Sequence, residues 1–256
     1  MLKVTAEAFN EKVNTDNEEV ILNGPPSALR GHIFLRNSSE DMLSVKTLSL
    51  KHDTSKGNFL GDSSRLRIGS RLRPGEEKLE MISHELPAQT PPGTYESMLV
   101  IGGTERKVKM IVQPNMQINI YPLNFSFIGA EPRKRHTAEV TITNVGNLPF
   151  QVPDVKHVAA VDMDLICRAF GFALRSKGAE GYVPTMDEIA RNVNRYLPDW
   201  AGANIEECGQ TLLPGATMTV HLNITMPDNT DAGKDYTGNM RFWNKEITYE
   251  IKSQNN

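Results

Sequence analysis

Two stretches decide the architecture. Leu72-Arg73-Pro74-Gly75 reads on to Leu86-Pro87-Ala88-Gln89-Thr90-Pro91-Pro92-Gly93-Thr94-Tyr95, and Leu213-Pro214-Gly215 reads on to Met226-Pro227-Asp228-Asn229-Thr230-Asp231-Ala232-Gly233-Lys234-Asp235-Tyr236. The prolines stand 13 apart in both (87 − 74 and 227 − 214), and Pro74, Gly75, Pro87, Thr90 and Gly93 all recur 140 positions later. A fixed offset of this kind is the signature of a tandem repeat. Upstream, His32-Ile33-Phe34-Leu35-Arg36-Asn37 matches Glu139-Val140-Thr141-Ile142-Thr143-Asn144 at an offset of 107, so the second copy has gained 140 − 107 = 33 residues between its early and late strands.

Working outward, the segments Gly31–Arg36, Ser44–Leu50, Ser97–Ile101, Lys107–Val112, Ala138–Thr143, Met218–Ile224 and Glu246–Ile251 alternate apolar and polar residues or run β-branched. Gly, Pro, Asn and Asp clusters separate them, which predicts short antiparallel strands of a sandwich with one face buried. Leu99, Ile101, Val108, Met110, Val140, Ile142, Val220, Leu222 and Ile224 are the expected core residues. Pro74-Gly75 and Pro214-Gly215 predict turns, since proline fixes φ and glycine tolerates positive φ. Gly102-Gly103 reads as a two-residue hairpin turn. Tyr95 and Tyr236 stand where a tyrosine corner would anchor the crossover through the phenol.

The inserted residues break the β pattern. Leu165, Ile166, Ala169, Phe170, Ala173 and Leu174 fall at helical spacing between Val161 and Arg175, and Ser176-Lys177-Gly178 stops the run. Thr185-Met186-Asp187-Glu188 has the form of a capping box, followed by the stripe Ile189, Val193, Tyr196 and Leu197 before Pro198. The expectation is an all-β chain of two tandem immunoglobulin-like β-sandwiches, residues 1–114 and 115–256, with a helical hairpin inserted in the second at about 158–207.

The chain has 256 residues, net charge −3, 23% charged and 39% hydrophobic residues. That balance gives no global attraction to nucleic acid or anionic membrane. Met1–Phe9 lacks the apolar core of a secretory signal and no stretch has the length of a membrane span, so the expected location is the cytoplasm. Cys167 and Cys208, the two cysteines, are then expected as free thiols. Sequons at Asn37, Asn124 and Asn223 carry no meaning without secretion.

The halves resemble the bacterial immunoglobulin-like modules of the ASPM/SPD-2/Hydin, major sperm protein and NEW3 type. The residues that carry this are the Thr143-Asn144-Val145-Gly146-Asn147-Leu148-Pro149 turn, the Pro-Gly element before a strand, and the Pro-x-x-Thr-x-x-Gly crossover to the tyrosine. The resemblance covers both modules and not the insertion. It implies adhesion, scaffold or complex-assembly roles. Copy one departs at Arg36-Asn37-Ser38-Ser39, where the turn is incomplete.

Serine-nucleophile motifs, phosphate loops and dinucleotide fingerprints are absent, so neither catalysis nor a cofactor is expected. Cys167, Cys208, His157 and His221 form the one conceivable metal set, but no ligand spacing organises them, and idle thiols are the alternative. Arg65, Arg67, Arg71 and Arg73 alternate along one strand, either as a phosphate or acidic-partner grip or as a solvated outer face. Arg133-Lys134-Arg135-His136 is a second basic cluster, in an expected loop. The hairpin carries the functional expectation: Leu165, Phe170, Phe172, Leu174, Tyr182, Tyr196 and Trp200 would either meet another protein or a second copy of the chain, or fold back onto their own domain. The leading reading is therefore a non-catalytic interaction or assembly subunit. An enzyme accessory subunit shares its physics, and a carbohydrate or cell-surface binding module is the alternative from a different class.

Overall fold

A computed structural model describes residues 12–51, 65–162, 164–197 and 200–254, without the side chain of Tyr196. The N-terminal segment read above as lacking a signal lies outside them. The chain is mostly β and divides into two compact units. The first takes the chain up to Gln117 together with Asn144–Pro149 and Leu213–Gly215, and the second takes 118–143, 150–212 and 216–256.

In the first unit the strands are β1 (Val13–Asn14), β2 (Glu19–Gly24), β3 (Leu29–Asn37), β4 (Leu43–Lys51), β5 (Arg65–Leu72), β6 (Glu77–His84), β7 (Gly93–Ile101) and β8 (Thr104–Val112). Strict alternation dictates the inner face: Leu29, Ile33 and Leu35 of β3, and Leu66, Ile68 and Leu72 of β5, are buried while their neighbours are exposed. The order β1-β3-β2-β8-β7-β4-β5-β6 is closed by a further β3–β6 pairing. The sheet is thus one barrel-like ring with β1 appended to β3. Three of its seams are short. β2 meets β3 through Leu22↔Gly31 and Asn23↔Arg30, β4 meets β7 through Leu50↔Leu99 and Lys51↔Met98, and β5 meets β6 through Arg67↔Ser83 and Ile68↔Ile82. The first long strand pairs in parallel with the last, Glu19↔Lys107 through Gly24↔Val112. Gly102 and Gly103, with φ of 59° and 73°, make the hairpin turn between Ile101 and Thr104, as the double glycine predicts.

The second unit contains β9 (Ile118–Tyr121), β10 (Asn124–Ile128), β11 (Arg135–Asn144), β12 (Phe150–Gln151), β13 (His157–Val158) and β14 (Val161–Asp162). Two helices follow, α1 (Leu165–Lys177) and α2 (Tyr182–Tyr196), and then β15 (Ala201–Ile205), β16 (Thr211–Leu212), β17 (Thr217–Thr225), β18 (Tyr236–Phe242) and β19 (Lys245–Lys252). Its strands form sheets of order β10-β19-β18-β14 and β13-β15-β17-β11-β9, with a β12-β16 ribbon. The parallel first-to-last pairing recurs as Asn124↔Thr248 through Ile128↔Lys252. Val140, Ile142, Val220, Leu222, Ile224, Tyr236, Phe242, Tyr249 and Ile251 fill its core.

The repeated turn elements use the same bonds in both places. Thr90 Oγ1 donates to Pro87 O at 2.7 Å and Thr230 Oγ1 to Pro227 O at 2.9 Å. Gly75 N–H donates to Asn37 O at 3.1 Å and Gly215 N–H to Asn144 O at 2.8 Å. Both glycines have positive φ, 69° and 80°. Both asparagines are fully buried and close the same Asx turn, Ser39 N–H to Asn37 Oδ1 at 2.9 Å and Gly146 N–H to Asn144 Oδ1 at 3.0 Å.

Candidate functional site

The hairpin leaves the second unit between β14 and β15. Asp162, at the end of β14, fixes its root. Its buried carboxylate accepts from the Asp164 N–H at 3.0 Å, ion-pairs with Arg168 from the first turn of α1, and lies 3.3 Å from Lys234 Nζ. Burial alone would raise the Asp162 pKa, but the donors from Arg168, Asp164 and Lys234 outweigh it and hold the carboxyl below its usual range.

The inner face of α1 is Leu165, Ala169 and Ala173, one residue per turn and all buried. Two alanines in this stripe let α1 approach closely what it covers. Displaced round the helix stands a second i, i+4, i+8 stripe, Ile166, Phe170 and Leu174, which is exposed at 48%, 43% and 58%. Phe172 lies on the other flank of the inner stripe, also exposed, with the Arg175 guanidinium 5.2 Å from its ring centre.

The two helices are tied by Thr185, whose hydroxyl is 2.7 Å from Gly181 O and 3.1 Å from Lys177 O. This corrects the capping-box reading. Helix α2 begins three residues earlier, at Tyr182, with Pro184 inside the first turn, where its missing N–H is no loss. Thr185 therefore donates to carbonyls instead of capping amides, and Glu188 engages Arg191 and Asn192. The expected start of the first helix at Val161 is corrected too, since Val161–Asp162 is a strand pairing with Thr237 and Tyr236.

Of the seven residues expected to meet a partner, Phe170, Phe172, Leu174, Tyr182 and Trp200 are exposed. Leu165 is not: at 1% exposure it belongs to the inner stripe, a correction that helical phase explains. The side chain of Tyr196 lies outside the described residues. Ile166, Val183 and Met186 join the exposed set. The 3.6-residue period could have named Ile166 beforehand, since it shares a face with Phe170 and Leu174.

Elsewhere the arginines of β5 point outward, with Arg67 paired to Glu85 at 2.7 Å. Arg133, Lys134 and Arg135 are each matched by an acid, Asp228, Glu131 and Glu206. That cluster is therefore electrostatically satisfied. Cys167 and Cys208 are free and exposed. Their proposed companions do not gather round them; instead Glu206, Glu207 and His221 bring ligand-type atoms within 4.8 Å of one another. Their bonding is already internal. Glu207 accepts from His221 Nδ1 and from the His221 backbone N–H, both at 2.7 Å, and Glu206 accepts from Arg135 and Asn223. Strand register, which sequence spacing hides, puts them together. The first unit also carries an apolar outer group that alternation did not announce, Phe34 opposite Leu79, with Met81 nearby. Among the described residues no helix is long and apolar enough to cross a membrane.

No protein-family model matches the chain, and no curated protein matches it. Among solved structures it is similar to the ASH / PapD-like domain 7 of human CEP192, at 12% identity over 56% of this chain and 92% of that one, with a TM-score of 0.29. It is similar also to the I9-I11 tandem from titin, at 12% identity over 94% of this chain and 65% of that one, TM-score 0.24. A third is domains 4 and 5 of the S-layer protein SbsC, at 13% identity over 94% and 96%, TM-score 0.28. Likeness of this degree names neither a family nor a task, and strand order and burial carry the fold.

Proposed function

We propose that this chain is a non-catalytic protein-interaction or assembly subunit, built from two immunoglobulin-like β-sandwich domains, residues 1–114 and 115–256, and docking on a protein partner through the hairpin at 158–207. The carrying observation is the Ile166-Phe170-Leu174 stripe, three large apolar side chains on one exposed helix face beside a separate buried stripe. A helix that only filled a gap would present polar residues there. Exposed apolar surface gathered on one element marks a docking surface, and Tyr182 and Trp200 supply aromatic anchors of the kind that dominate binding energy. The exposed free thiols suit a reducing cytoplasm.

The test is the triple variant Ile166→Gln/Phe170→Ser/Leu174→Gln, used as bait beside the unaltered chain in its native extract. The variant is expected to melt within a few degrees of the parent and to lose a partner that the parent holds at fixed stoichiometry. Capture that survives the three substitutions defeats the reading. The alternative, a carbohydrate or cell-surface module, draws on the exposure of both tryptophans, Trp200 and Trp243. A glycan array on which the chain binds nothing removes it.

A further inference from the structure

A cavity of about 660 Å³ lies in the first unit. That volume falls in the range of about 300–1,000 Å³ typical of small-molecule sites, but its walls are polar where such sites are ordinarily apolar. Two guanidinium groups enter it from different strands, Arg36 of β3 and Arg106 of β8. Among the described residues no carboxylate forms an ion pair with either. Arg106 is also incompletely bonded: one terminal nitrogen donates to Thr15 O at 3.2 Å, while its buried Nε finds no partner. An orphaned donor on a buried-side cation is uncommon in a folded protein and asks for an acceptor.

The rest of the wall is built for hydroxyls. Asn14 Nδ2 donates to Ser38 Oγ at 2.7 Å, so the Ser38 hydroxyl keeps its own proton to give. Asp16 and Glu40 also face the cavity and offer carboxylate acceptors. The arrangement of Asn14 depends on Gly102. A Cβ there would stand 1.8 Å from Asn14 Oδ1, and φ is +59°. The glycine thus serves the cavity wall as well as the hairpin turn.

We infer that this cavity binds a small hydroxylated oxyanion, a phosphate or sulfate ester whose charged group lies between Arg36 and Arg106 and whose hydroxyls bond to Ser38, Asp16 and Glu40. Guanidinium suits this task because its planar fork matches tetrahedral oxyanions in a bidentate manner. Asp16 and Glu40 set the selectivity, since they repel a bare anion and reward a ligand that brings hydroxyl donors. The site is independent of the docking proposal.

Calorimetric titration of the full chain with glucose 6-phosphate, glucose 6-sulfate, inorganic phosphate and glucose tests this. Expected are saturable binding of at least one ester, at least tenfold weaker binding of inorganic phosphate, and no binding of glucose. Arg36→Gln, a change at an exposed position that leaves folding intact, should weaken the ester at least fivefold. Arg106→Lys, which keeps the charge and stem but loses the fork, should do the same. Phosphate against sulfate ester separates the two sources of the anion. Failure of both esters to bind, or equal binding by the parent and the Arg36→Gln/Arg106→Lys double variant, overturns the inference, as does glucose binding as well as its phosphate.

Discussion

The turns around Asn37 and Asn144 are the same structure written in two sequences. Asn144-Val145-Gly146 has the glycine that a tight turn invites, and Asn37-Ser38-Ser39 lacks it, yet in both the asparagine carboxamide oxygen accepts the N–H two residues on and its backbone carbonyl accepts the Pro-Gly amide. The glycine is therefore not required by the turn. It is required by what crosses it: a Cβ on Gly146 would stand 2.3 Å from Asn115 O and 2.7 Å from Gln117 N, both backbone atoms that no rotamer change can move. The difference teaches that hydrogen bonding specifies this motif, while glycine reports local crowding. The two tyrosines make the same point. Tyr95 donates its hydroxyl proton to Pro91 O at 2.8 Å, whereas Tyr236 accepts from Asp231 N–H at 2.8 Å, so one residue type anchors the crossover with opposite polarity.

The sharpest way to break this comparison is to exchange the turn residues. Gly146→Ser should destabilise by about 1–3 kcal/mol through the forced backbone shift, whereas Ser39→Gly should stay within about 1 kcal/mol. Urea unfolding of both measures it, and equal losses would show that the turns differ in more than crowding. Next in size are the tyrosines. Tyr236→Phe leaves a part-buried N–H without its acceptor, for an expected loss of about 1–2 kcal/mol, and Tyr95→Phe, at a wetter position, should lose under about 1 kcal/mol. A reversed order in thermal melts contradicts the polarity argument.

The smallest effect is pH dependence, and here two histidines of neighbouring strands work against each other. Burial beside Phe127 pushes His136 below its ordinary value near 6.5, against the opposing backbone bond at Gly129, with Lys134 adding and Glu131 opposing. Its contribution is full above about pH 6.5 and is lost as pH falls toward the folded value, because the unfolded chain then binds more protons. His221 runs the other way. Its bond to Glu207 chiefly, with Glu206 and Glu139 adding, raises its pKa, so its contribution is full below about pH 6.5 and is lost as pH rises through the folded value. His136→Gln should therefore flatten the acid side of a melting-temperature profile between pH 5 and 8. Glu207→Gln should instead remove stability at pH 5 more than at pH 8, and the opposite pattern in either variant refutes the assignment.

Much of this was legible in the sequence because it is local. The period-2 alternation of Leu29–Asn37 and Arg65–Leu72, the Pro-Gly turns, the Gly102-Gly103 hairpin and the two helices of the insertion all follow from spacing along one segment. What escaped depends on register between segments. Closure of the first sheet rests on two-residue seams such as Leu50↔Leu99 and Arg67↔Ser83, too short to leave a pattern. Glu207 meets His221, and Arg36 shares a cavity with Arg106, because strands bring them together. The start of α2 was missed for a different reason: Thr185 competes between two bonding roles, and the helix phase that buries it beside Ile189 decided the matter.

The docking surface is the central claim, and the mass of the intact assembly purified from its native source tests it most directly. The account predicts this chain in fixed stoichiometry with a different protein, and an assembly that falls apart when Ile166, Phe170 and Leu174 are made polar. A chain that elutes alone, and keeps the same mass after those substitutions, would contradict it.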